Sequence, residues 1–92
     1  MVLYFMGNNF EMRIVPGLHV EWVGDEAVVL NPDSKELHYL NGSAAIFFAL
    51  LEEEGYPEAL THLQQRFKGQ DIDEEIKGLV TDMVERGLLT DD

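Results

Sequence analysis

The 92 residues suffice for one compact domain with one core, since a chain of this size buries only a little over ~60% of the surface it would expose unfolded. Eighteen acidic against six basic side chains give a formal charge of −12, which repels nucleic acid phosphates and anionic lipid heads and favours basic or neutral partners. There is no cysteine, which excludes disulfides and thiolate zinc sites, and the longest apolar run, Ala44 to Leu51, is far shorter than the ~20 residues that cross a bilayer.

Met1 to Phe10 start apolar but lack the basic leading region and small-residue cleavage site of a secretory signal, so the cytoplasm is the expected location. Leu3, Tyr4, Phe5 and Gly7 resemble part of a protease tag site. Residues 1–11 are therefore set apart as an N-terminal extension, and residues 12–92 are expected to form the single domain. His19-Val20-Glu21-Trp22-Val23 combines β-branched and aromatic residues with partial alternation, and Gly24-Asp25-Glu26 punctuates it, which predicts a strand and a turn. Ala27-Val28-Val29-Leu30 predicts a second strand, ended by Asn31-Pro32-Asp33-Ser34, whose side chains bond to their own backbone and favour turns. Lys35 to Leu40 reads as a third strand, and connections this short make the three an antiparallel meander.

Helical signals follow. Asn41 or Ser43 can cap, Ala44 to Leu51 supply apolar residues on nearly every side, and Gly55 lies just past Glu52-Glu53-Glu54, so the first helix should be central and buried. Pro57 fits a first helical turn, and Ala59, Leu60, Leu63 and Phe67 recur at spacings of three and four until Gly69. Asp71 with Glu74 forms a capping-box pattern that opens a third helix. Its stripe of Ile72, Ile76, Leu79, Val80, Met83 and Val84 spans roughly 140° at 100° per residue, wider than the usual ~100°. Such a width leaves either a fully buried helix or an apolar flank beyond what its neighbours cover. Gly87 ends the helix, and Leu88-Leu89 should fold back. The predicted fold is α+β, with a three-stranded antiparallel sheet followed by three helices.

Chemistry is sparse. His19, His38 and His62 share no metal-binding spacing, and Ser34 and Ser43 occupy a turn and a helix start, where a hydroxyl ordinarily satisfies backbone donors. No glycine-rich phosphate loop occurs, and the carboxylate runs lie on helix faces or at the end of the chain. The expectation is a non-enzyme without metal or cofactor. What remains is a sheet whose edge strand carries unpaired N–H and C=O groups able to accept another extended chain.

The passage Leu37-His38-Tyr39-Leu40-Asn41-Gly42-Ser43-Ala44-Ala45-Ile46-Phe47, with Phe67, Asp71 and Val84-Glu85-Arg86-Gly87-Leu88-Leu89 behind it, resembles the PqqD family over Val20 to Leu89. Those proteins act in pyrroloquinoline quinone biosynthesis, and their relatives are the recognition elements of ribosomally made, post-translationally modified peptides. The resemblance implies a winged helix-turn-helix-like fold that holds the leader segment of a precursor peptide as an added strand along strand three, beside helix three. It implies backbone pairing and flanking contacts from Glu36, Leu37, His38 and Tyr39 and an apolar side from Ile76, Leu79, Val80, Met83 and Val84. Asp73, Asp82 or Glu85 would meet basic leader residues. A domain of this size most resembles the stand-alone proteins of lasso peptide clusters, which deliver the precursor to a leader peptidase and a cyclase.

This chain departs from its relatives in carrying Leu37 and His38 in strand three, where they often have aromatic residues. A PqqD-type chaperone for a radical SAM enzyme is one competing reading, and a winged-helix DNA-binding regulator is another. Helix three argues against the latter, with six carboxylates from Asp71 to Arg86 against Lys77 and Arg86.

Overall fold

The computed structural model describes residues 12–66 and 72–91. Its elements run β1 (Arg13–Ile14), β2 (His19–Val23), β3 (Glu26–Asn31), β4 (Glu36–Leu40), α1 (Gly42–Glu54), α2 (Tyr56–Arg66), α3 (Ile72–Glu85) and β5 (Leu89–Thr90). β2, β3 and β4 form the expected antiparallel sheet in that order, followed by three helices, the α+β arrangement of a winged helix-turn-helix-like domain. A second, two-stranded sheet joins β1 to β5, pairing Arg13 with Thr90 and Ile14 with Leu89. The N-terminal extension and the Asp71 capping box lie outside the described residues.

Turn chemistry sets the sheet. Val23 pairs with Glu26 across Gly24-Asp25, and Gly24 takes φ +64 at the first central position, where a type II′ turn calls for glycine. After β3, the side-chain Oδ1 of Asn31 accepts from the N–H of Asp33 at 2.9 Å and of Ser34 at 3.5 Å, while its carbonyl accepts from Lys35 N at 2.7 Å. Lys35 turns the chain with φ +64. The resulting register pairs Asn31 with Glu36, Val29 with His38 and Ala27 with Leu40.

Strand alternation then divides the sheet. Ala27, Val29 and Leu40 point inward and are buried together with Phe47, Phe48 and Leu51 of α1 and Ala59, Leu60 and Leu63 of α2. Phe47 meets Tyr56 edge-on at 6.5 Å between ring centroids. Tyr56 is itself buried, its hydroxyl has no hydrogen-bond partner among the described residues, and burial pushes its phenol up to about 12. α1 starts after Asn41, whose extended backbone fits an N-cap although its side chain makes no capping bond. The helix ends at Gly55, φ +88, whose N–H donates to Leu51 O at 3.1 Å. His62 of α2 reaches back to Glu54, with Nδ1 2.9 Å from Oε1. α3 closes in a Schellman motif: Leu88 N donates to Met83 O at 2.9 Å and Gly87 N to Val84 O at 3.0 Å, with Gly87 at φ +76. Leu88 and Leu89 fold back into the core as expected, and Val15 N donates to Leu88 O at 3.0 Å.

Candidate functional site

β4 pairs with β3 on one side only, so along its other side alternate N–H and C=O groups lack a partner strand among the described residues. One interaction ties the turn before this strand to the end of α3. The Asn31 side chain, which caps the β3–β4 turn through Oδ1, donates through Nδ2 to Gly87 O at 3.3 Å. Asn31 pairs with Glu36, so the start of β4 lies one strand spacing, ~4.8 Å, from the strand tied to the end of α3. β2 has the other free edge, but there Trp22 leans over α1, donating from Nε1 to Glu52 Oε1 at 3.3 Å.

Along β4 the side chains alternate. Leu37 and Tyr39 face outward, 67% and 55% exposed. The Tyr39 hydroxyl donates to Glu26 Oε1, and that bond, ahead of desolvation and the Glu26 charge, holds its phenol above the usual range. His38 turns inward, its Nε2 3.5 Å from Glu36 Oε1 but not aligned as a hydrogen bond, so the enclosed nitrogen has no hydrogen-bond partner among the described residues. Glu36 is exposed at the strand entrance.

α3 corrects part of the expected apolar wall. Ile76, Val80 and Met83, the middle of its stripe, are buried in the core because α3 needs them to pack on α1 and α2. They can back a groove but offer it almost no surface. The flanks remain: Leu79 is half-buried and Val84 is 44% exposed. Asp82 is already engaged by Arg86, Nε to Oδ2 3.0 Å, and Glu85 is exposed. Asp73 belongs to the helix, but its side chain lies outside the described residues.

Residues 26–89, more than half of the chain, match the family described as Coenzyme PQQ synthesis protein D (PqqD). The chain belongs to the PqqD family. A solved structure similar to this PqqD-family chain is TbiB1 in complex with the TbiA(beta) leader peptide, with a TM-score of 0.74 and 18% sequence identity over 84% of this chain and 93% of that one. At that identity the likeness establishes the fold. No curated protein matches the chain.

Two features of this PqqD-family domain escaped the sequence reading. Asn31 was placed in a turn, but its second bond runs to a carbonyl 56 positions away, for which no local pattern exists. Gly87 reads in the sequence as a helix stop, yet a Cβ there would also lie 3.2 Å from Asn31 Nδ2. Among the described residues, no group of three or more His, Asp or Glu side chains could hold a metal ion, and no helix is long and apolar enough to cross a membrane.

Proposed function

We propose that this domain holds the leader segment of a ribosomally made precursor peptide as a fourth strand along β4 and presents it to a separate modifying enzyme, in first place a lasso peptide leader peptidase or cyclase. The observation that most supports the reading is the open side of β4, whose turn from β3 is tied to the end of α3 by the Asn31–Gly87 bond. An incoming strand would find backbone partners along Glu36 to Tyr39, flanking contacts from Leu37, His38 and Tyr39, and apolar contact at Leu79 and Val84, with Ile76, Val80 and Met83 stiffening the helix from behind. Glu36, Glu85 and Asp73 would favour basic leader residues, and Asp82 would join them only by giving up Arg86. The leader peptide bound to TbiB1, a protein of the same fold, supports this reading. The family match favours a second choice of enzyme, a radical SAM enzyme of the kind a PqqD-type chaperone serves, with the same strand capture.

Fluorescence polarisation with leader peptides encoded beside this domain tests the proposal. Saturable binding in the nanomolar to micromolar range is the expected result. Proline placed in turn at Leu37 and His38 removes one N–H each time. The substitution that leaves the fold intact has removed a donor from the open side, and it should weaken the leader. Unchanged affinity in that folded variant sinks strand addition at β4.

A further inference from the structure

A sheet with one face on the core and one in water ordinarily alternates apolar inward with polar outward. The outward positions here break that rule. One row across the sheet reads His19, Leu30, Leu37 and the next Glu21, Val28, Tyr39, followed by the pair Val23 and Glu26. Val23 is 68% exposed, like Leu37 beyond it, so the solvent side presents a band of apolar side chains from one edge strand to the other. Exposed apolar bands rimmed by polar groups mark protein-binding surfaces.

The rim of this band is acidic. Glu21 and Glu26 stand on the face itself and Asp25 in the adjoining turn, against Lys35 and a histidine, His19. Two copies apposed through this face would press these carboxylates against their own kind, which disfavours self-association. We propose that the outer sheet face docks the enzyme that acts on the peptide held at β4, through a surface with an apolar centre bordered by lysine and arginine. The identity of the partner rests on the leader-binding reading. A strand added beyond β4 alternates as β4 does, so every second side chain of the leader would lie level with Leu37 and Tyr39 and widen the band. The enzyme therefore meets more apolar surface on a loaded domain than on an empty one and prefers it.

The test uses the full chain, its leader peptide and the purified leader peptidase encoded beside it. Isothermal titration calorimetry compares the wild type with Val23→Arg and Val23→Arg/Leu30→Lys, neither of which alters β4. Leader affinity should stay within about twofold, while enzyme affinity falls by about tenfold or more, because a cation now meets the basic border. Wild-type docking should weaken as salt rises and strengthen when the leader is present. Unchanged enzyme affinity in a variant with native circular dichroism overturns the proposal, and so does a wild-type dimer that the same variants dissociate. The single variant keeps the test decisive if the double one fails to fold. If the leader does not bind but the empty domain still loses the enzyme on Val23→Arg, the docking face stands and the leader reading falls.

Discussion

The two faces of the β2–β3–β4 sheet are built from much the same side chains and have different fates. Inward, Ala27, Val29 and Leu40 disappear beneath α1 and α2, while outward, Val23, Leu37 and Tyr39 meet water. Strand alternation fixes which residues share a face, but only the helices decide which face is covered. An apolar residue in this sheet is thus either a stability element or a solvent-facing one according to parity along the strand. Mutations can separate the two roles.

The largest expected effect is on the covered face. Val29→Asp buries an unpaired carboxylate and should cost about 4 kcal/mol or more, enough to unfold so small a domain in a thermal melt. Asn31→Leu removes both the turn acceptor and the bond to Gly87 and should cost about 1–3 kcal/mol in chemical denaturation. Asn31→Asp keeps the acceptor, loses the donor and should fall between that variant and the wild type.

Tyr56→Phe moves the other way, gaining about 1 kcal/mol by deleting a buried hydroxyl that has no partner among the described residues. The wild type favours the neutral phenol when folded, so that contribution is complete below the unfolded value near 10 and is lost as pH rises through the folded value of about 12. An alkaline titration of stability should accordingly be flatter in Tyr56→Phe. The smallest effect belongs to Val23→Asp, within about 0.5 kcal/mol of wild type. If its melting temperature dropped as far as that of Val29→Asp, the distinction between the faces would be lost.

Much of this was legible in the sequence. The strands begin and end within a residue of their predicted limits because Gly24 and the Asn31-Pro32-Asp33-Ser34 cluster carry unambiguous turn chemistry. A meander of three strands has two edges by arithmetic, so the open side of β4 was foreseeable too. The width of the α3 stripe left full burial and an apolar flank both open, because periodicity alone gives no direction for the core. It therefore could not tell that Ile76, Val80 and Met83 would be consumed by packing while Val84 stayed out. β1 and β5 were missed because two residues carry no period, and each is defined only by a partner at the other end of the chain.

The contact between Asn31 and Gly87 leaves little slack. A side chain at position 87 would strain the left-handed backbone and crowd the amide at once, and a shorter residue at 31 would release the helix end from the turn. Attempts to redesign the surface of this scaffold should therefore rewrite the outward residues of β4 and leave this joint alone, since it sets the gauge against which any new contacts must be measured.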